Sequence, residues 1–296
     1  MRAGVIDIGS NTARLLVADV DGGLQTVREE KAYLGLGADA LRLGRLSEEK
    51  VAEARAVARR FTRIARRLGV DRLETIVTAP GRQANARDLV DALAAATREP
   101  VRVLSAHDEG ALAYRGAIAR EREALPEVVA VCDVGGGSTE IAVGAPTLDA
   151  LWVRSADVGS LRLTRACLPS DPPAPDEVRS ARELVAEALS EIAPPRPGLA
   201  LAVGGSARAA AKVVGRTLGP DDLETVVALC ERRRSARIAR SFNLDPARAQ
   251  TLLAGALLLA EASRRLGMPF RLGRGGLREG AALALADTAA AEAAAA

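Results

Sequence analysis

The chain opens on an apolar run, Ala3-Gly4-Val5-Ile6-Asp7-Ile8-Gly9, and strand-like segments precede the first helical stretch. Turn signals at Gly9-Ser10-Asn11 and Asp21-Gly22-Gly23 cut the start into a predicted three-stranded meander over 3–9, 13–20 and 24–33. The pattern then turns helical. Ser47 is a fitting N-cap and Glu48 and Glu49 complement the first turn, so a helix is predicted to about Leu68. A strand (73–79), a helix (82–97), a short strand (101–104) and a helix (107–122) follow, and Pro126 marks a boundary.

After that boundary the pattern restarts. Segments 128–134, 141–143 and 148–154 predict another meander with a glycine turn between its first two strands. Helices are expected near 159–167, 176–192, 206–217, 221–241 and 246–267, with a strand at 199–203 among them. Asp245-Pro246 forms a cap with proline at the first helical position. The proline-rich stretches 169–175 and 194–197 read as loops. Asp7-Ile8-Gly9-Ser10-Asn11-Thr12 and Asp133-Val134-Gly135-Gly136-Gly137-Ser138 share one design: apolar strand, Asp, apolar, Gly, small polar turn, apolar strand. Two such openings, each leading a ββ-then-α segment, predict two topologically similar domains, 1–122 and 123–296. A length of 296 residues suits two domains. The last helix is a candidate to pack back on the first domain, and the alanine-rich tail after Asp287 reads as a frayed helix or disorder.

Composition narrows the function. Aromatics make up only 2% of the chain, which argues against a stacking platform for single-stranded nucleic acid. With 41 Lys/Arg against 38 Asp/Glu the net charge is +3, too balanced for a general nucleic-acid binder. Cys132, Cys167 and Cys230 form no CxxC pair, which speaks against a zinc site or a disulfide framework and for a reducing cytoplasm. No signal-peptide pattern is present at the start, and the longest apolar run, within Leu252–Ala260, is far below the ~20 residues a membrane helix needs. A soluble, cytoplasmic protein without membrane or nucleic-acid partners is expected.

The two hairpins are also where chemistry is expected. Glycine lets backbone N–H groups approach an anion, and an Asp ending the preceding strand can ligate Mg²⁺. In the second hairpin Glu140 follows Asp133 across the turn and adds a second carboxylate. An ordinary hairpin with a solvated acid is the plain alternative for either loop alone; the pair favours a metal–phosphate site. A third turn, Val203-Gly204-Gly205-Ser206, joins a strand to a helix whose N-terminus is a natural phosphate seat. Arginine is dense at 55–67 and 232–240, readable as a solvated face or as a track for a polyanion. Gly255-Ala256 in an apolar helix suggests tight helix packing, with a dimer interface as one setting.

Taken in order, these segments resemble the exopolyphosphatase / guanosine pentaphosphate phosphatase (Ppx/GppA) family, short two-domain type. The carrying stretches are Gly4–Thr12, Thr78-Ala79-Pro80-Gly81-Arg82, Ser105–Gly110, Asp133–Glu140, Val158–Thr164, Val203–Ser206 and Gly276-Leu277-Arg278-Glu279-Gly280. The resemblance implies an α/β fold of two actin-like ATPase (ribonuclease H-like) domains facing an interdomain cleft. It implies catalytic roles for Glu109 (general base on water), Arg82 (phosphate contact), Asp133 and Glu140. Asp133, Glu140 and Asp7 would serve a metal, Mg²⁺ with Mn²⁺ as an alternative. Ser10, Asn11, Thr12, Gly136, Gly137, Ser138, Gly205 and Ser206 would bind phosphate. Pro80, His107-Asp108 and Gly110 depart from the usual family pattern. The implied activity is hydrolysis of terminal phosphate from inorganic polyphosphate by a homodimer. Guanosine pentaphosphate or tetraphosphate hydrolysis, a kinase of the same superfold and a non-catalytic sensor are the rivals.

Overall fold

The computed structural model describes residues 1–295. The backbone divides into two compact units: Met1–Arg120 together with the chain from Leu277 on, and Glu121–Gly276.

In the first unit the expected meander forms as β1 (Arg2–Ile8), β2 (Thr12–Val20) and β3 (Leu24–Tyr33), followed by α1 (Leu36–Leu43) and α2 (Glu48–Arg67). Next come β4 (Arg72–Val77), a 3₁₀ turn (Ala79–Arg82), α3 (Ala86–Thr97), β5 (Val101–Val103) and α4 (Ala106–Ala119). The sheet order is β3-β2-β1-β4-β5, antiparallel in the meander and parallel from β1 through β5. Ser47 caps α2 as its chemistry predicts, its Oγ accepting from the Lys50 N–H at 3.3 Å. One face of the sheet (Ile6, Ile8, Leu15, Val17) packs on Ala54, Ala58 and Phe61 of α2 and on Leu89 and Leu93 of α3. The other face (Ala3, Val5, Leu16, Ile76) meets Leu112 of α4 and residues near the C-terminus.

The second unit repeats the plan with β6 (Val129–Val134), β7 (Thr139–Gly144), β8 (Ala150–Ala156), α5 (Ser160–Cys167), α6 (Pro175–Ala188), β9 (Leu199–Val203) and α7 (Gly204–Val214). It continues through β10 (Thr217–Leu218), α8 (Pro220–Arg232), α9 (Ser235–Phe242), α10 (Pro246–Gln250), α11 (Leu252–Leu266) and β11 (Phe270–Leu272). Its sheet runs β10-β11-β9-β6-β7-β8, with β6 parallel to β9 and antiparallel to β7. Each unit thus places a three-stranded antiparallel meander beside parallel strands, with helices packed on the sheet. This is the mixed α/β, ribonuclease H-like plan of actin-like domains.

The last helix, α12 (Leu277–Ala295), groups with the first unit, and the second ends at Gly276. Leu277, Ala281, Ala282 and Leu285 complete the core on the α4 face of the first unit's sheet. The helix spans the alanine-rich tail to Ala295, and Glu292 takes the Arg72 guanidinium at 2.6 Å. The single helix expected over 221–241 is two, broken at Arg233, whose backbone is extended (φ −137°, ψ 136°). The stretch 246–267 breaks at Thr251, and the second piece, α11, is buried almost throughout. Its Gly255 packs on Ser206 of α7 within the same unit, so the small-residue pattern serves the internal core.

Candidate active site

In the first unit, the loop between β1 and β2 is pinned by its own backbone. The Gly9 N–H donates to the Thr12 carbonyl at 3.0 Å, the Ser10 carbonyl accepts from Gly37, and the Asn11 carbonyl accepts from Leu34 and Gly35. Ser10 and Asn11 are buried, and the Asn11 Oδ1 has no hydrogen-bond partner among the described residues. Asp7 stands near the end of β1, paired in register with Arg14 on β2 and Ile76 on β4.

At the end of β4, beside β1, the chain turns sharply. The Thr78 N–H donates to the Ile8 carbonyl at 3.2 Å, and the 3₁₀ turn that follows ends on Arg82. Pro80, the departure from the family pattern, lies in the first turn of this element, where a missing N–H costs nothing. Arg82 Nη1 donates to the Leu104 carbonyl at 3.0 Å and to Glu109 Oε2 at 3.2 Å. Two residues 27 positions apart therefore meet. Glu109 sits in the first turn of α4, capped by Ser105, whose Oγ accepts from the Asp108 N–H at 3.0 Å. A carboxylate there lies at the positive end of the helix. Its side chain keeps 12% of its exposure. It is anchored yet open to water.

In the second unit the candidate residues are gathered around the β6–β7 hairpin. Asp133 and Glu140 are direct cross-strand partners, so their carboxylates stand on one face of the pair. Glu140 is 2% exposed and accepts from the Ser155 hydroxyl at 2.9 Å. The Gly135–Gly137 turn is held from its carbonyl side: Ser160 donates N–H to the Gly135 carbonyl at 2.9 Å, and Leu161 and Arg162 donate to Gly136. These are the orphan donors at the start of α5. The Gly136 and Gly137 amides donate to nothing among the described residues. A loop whose carbonyls are taken and whose amides are not is disposed to hold an anion.

The Val203–Ser206 turn is set against the same Asp133. Gly204 has φ +79°, and a Cβ there would lie 2.1 Å from Asp133 Oδ1. The carboxylate therefore rests on the N-terminal turn of α7, where backbone N–H groups favour negative charge. The Ser206 Oγ donates to the Val134 carbonyl at 2.9 Å, tying α7 to the strand that ends in the glycine loop. Burial, reinforced by the negative charge of Asp133 and Glu140, pushes the neighbouring Cys132 thiol well up. Ser138 is likewise buried, while Thr12 opens β2.

Each unit thus gathers its own group: Asp7, Ser10, Asn11, Thr12, Arg82 and Glu109 in the first, and Asp133, Gly136, Gly137, Ser138, Glu140, Gly205 and Ser206 in the second. Sequence reasoning missed Arg248 on α10. Its guanidinium covers the start of α7, with Nη1 donating to Ser206 Oγ at 3.4 Å and Nη2 2.5 Å from a Cβ built on Gly205. No local signal marks it, because the fold brings it 42 residues back along the chain. Ser155 and Ser160 also carried no predicted role; the Gly159-Ser160 dipeptide was the available cue for the second.

Among the described residues no group of three or more His, Cys, Asp or Glu side chains stands ready to hold a metal. The Asp133–Glu140 pair nevertheless fits Mg²⁺, which is bound through one or two carboxylates and completes its shell with substrate phosphates and water. No helix among the described residues is long and apolar enough to cross a membrane.

The arrangement defines a phosphate-handling α/β protein with an acid–guanidinium pair. The sequence profile of the Ppx/GppA phosphatase family matches residues 15–289, and the chain belongs to that family. It is 33% identical to exopolyphosphatase 2 of Mycobacterium tuberculosis over 293 residues, covering 90% of this chain and 91% of that one. Exopolyphosphatase 1 of the same organism is 30% identical over 284 residues, covering 90% and 82%. Among solved structures, the Aquifex aeolicus PPX-GPPA enzyme superposes with TM-score 0.79 at 26% identity, over 95% of this chain and 98% of that one.

Proposed function

We infer that the protein is an exopolyphosphatase, a hydrolase that releases orthophosphate from the end of inorganic polyphosphate. The observation that carries this reading is the Arg82–Glu109 pair at 3.2 Å, held in a chain whose family and named relatives are phosphatases of this kind. Glu109 accepts a proton from water, and the water oxygen attacks the terminal phosphorus as the bridging P–O bond breaks. The shortened chain leaves with the bridging oxygen. Arg82 supplies a fixed guanidinium that both restrains Glu109 and faces anionic phosphate. The glycine-loop amides and the head of α7 bind non-bridging oxygens without reorganising. Asp133 and Glu140 would hold Mg²⁺ or Mn²⁺, which when bound would neutralise charge on the transferring phosphoryl group.

Guanosine pentaphosphate offers a comparable phosphate chain and is the rival substrate. A homodimer and a cytoplasmic setting accompany the reading; the free thiols of Cys132, Cys167 and Cys230 support a reducing compartment. The test is orthophosphate release from short polyphosphate, long polyphosphate and guanosine pentaphosphate, with Mg²⁺ and with EDTA, for wild type and Glu109→Gln. Metal-dependent release that falls by roughly 10²–10⁴ in the variant is expected. Undiminished turnover by a folded Glu109→Gln would remove Glu109 from the role of base.

A further inference from the structure

The outer face of α2 carries charge that the catalytic reading does not use. Ala54, Ala58, Phe61, Thr62 and Ala65 turn inward, while Arg55, Arg59, Arg63 and Arg67 repeat at every fourth position on the exposed side. At 1.5 Å rise per residue this makes a ridge about 18 Å long with a guanidinium every ~6 Å. Among the described residues none of these four makes an ion pair. Glu53 is taken by Lys50 at 2.6 Å, Arg66 reaches Glu99 at 3.7 Å, and Arg60 lies over the Phe61 ring at 5.1 Å. Like charges four apart oppose helix formation. A linear polyanion would relieve that repulsion.

The direction of α2 gives the ridge a meaning. The Asn85 side chain, three positions after Arg82, exchanges hydrogen bonds of 2.9 and 3.0 Å with the Leu46 backbone just ahead of α2. At the other end, the Leu68 carbonyl accepts from Arg2 Nη1 at 2.7 Å, beside the start of β1. So α2 begins at the strand end that presents Arg82 and runs to the opposite end, and its arginines lead away from the catalytic residues of this unit. Phe61 is fully buried and no aromatic side chain is exposed on the helix, so bases have nothing to stack on. The second arginine group, Arg232–Arg240, makes no comparable line: it is interrupted by a helix break, and Asp171 sits there on the Ser235 N–H and hydroxyl.

We propose that the Arg55–Arg59–Arg63–Arg67 ridge is a second, non-catalytic binding surface for inorganic polyphosphate, holding the part of a long chain remote from the end being cleaved. The proposal rests on polyphosphate being the substrate. Arg59→Glu/Arg63→Glu, and Arg59→Gln/Arg63→Gln as a milder pair, change exposed side chains and leave the core untouched, which circular dichroism checks. The Glu pair should raise KM for long-chain polyphosphate roughly fivefold or more. It should also flatten the salt dependence of KM, while kcat/KM for tripolyphosphate stays within about twofold. Equal loss on both substrates, or no loss on the long one, overturns the ridge. So does duplex DNA competing as well as polyphosphate at equal phosphate concentration. Binding of long polyphosphate is measured in parallel on Glu109→Gln protein with and without the ridge substitutions. If wild type releases no orthophosphate from either substrate, the hydrolase reading fails, and this binding pair alone still decides the ridge.

Discussion

Arg82 joins the backbone of one loop to the carboxylate of one helix, and its fork does both jobs through a single nitrogen, Nη1. Arg82→Ala should leave the fold intact and lower orthophosphate release on the order of 100-fold. Arg82→Lys restores charge without the fork and should recover only part of it, as kcat measured side by side would register. The cysteines give a second prediction at this scale. Burial, then the Asp171 and Glu231 charges, push the Cys230 thiol up to about 12, and Cys132 is raised as well. Since the thiolate is the reactive form, both should react with a thiol reagent at pH 8 only after denaturation. Their linkage has a definite sign. The unfolded thiols ionise first, so stability is retained below the ordinary thiol range and declines as pH rises from there toward 12. Rapid labelling of both in native protein would contradict this environment. Glu109, Arg82, Asp133 and Glu140 were legible as residues because each sits in a short motif. Arg248 was not, because its partner is a loop far away in sequence.

At the scale of elements, α4 is placed by α12. A Cβ on Gly280 would stand 1.9 Å from the Leu112 carbonyl oxygen, so the two helices touch backbone to backbone there. Gly280→Ala should therefore cost about 1–3 kcal/mol, visible as a lowered Tm, and should depress activity by displacing the helix that carries Glu109. An unchanged Tm would mean that α12 can shift without cost. The closing Gly276–Gly280 motif thus reads as a packing device as well as a family mark. The long amphipathic helix α2 was legible from its cap and its periodicity, whereas α1 was not. That helix is eight residues between Gly35 and Gly44, both in left-handed conformation, and Leu36 and Ala40 earn it order by entering the core. The α8–α9 break was hidden for a related reason. The local pattern stays helical, but Asp171, 64 residues away, caps Ser235 and starts a new helix.

At the scale of the molecule, the first unit depends on a segment that the chain delivers last. Ending the chain at Gly276 removes Leu277, Ala281, Ala282 and Leu285 from one face of the first sheet. The truncated protein should lose cooperative unfolding of that unit, while the second, whose core is drawn from Ala130 to Phe270, keeps its protection. Hydrogen exchange resolved by segment would check this; full protection of β1 and β2 in the truncated chain would contradict it. The sequence by itself determined the repeated meander, the glycine turns and the acids that end the strands, because strand period, turn chemistry and motif spacing are local properties. Only the tertiary structure decided that α12 belongs with the first unit, that Arg82 meets Glu109, and that Arg248 covers the start of α7. Those outcomes depend on which apolar faces bury each other across long stretches of chain, and no local pattern encodes that choice.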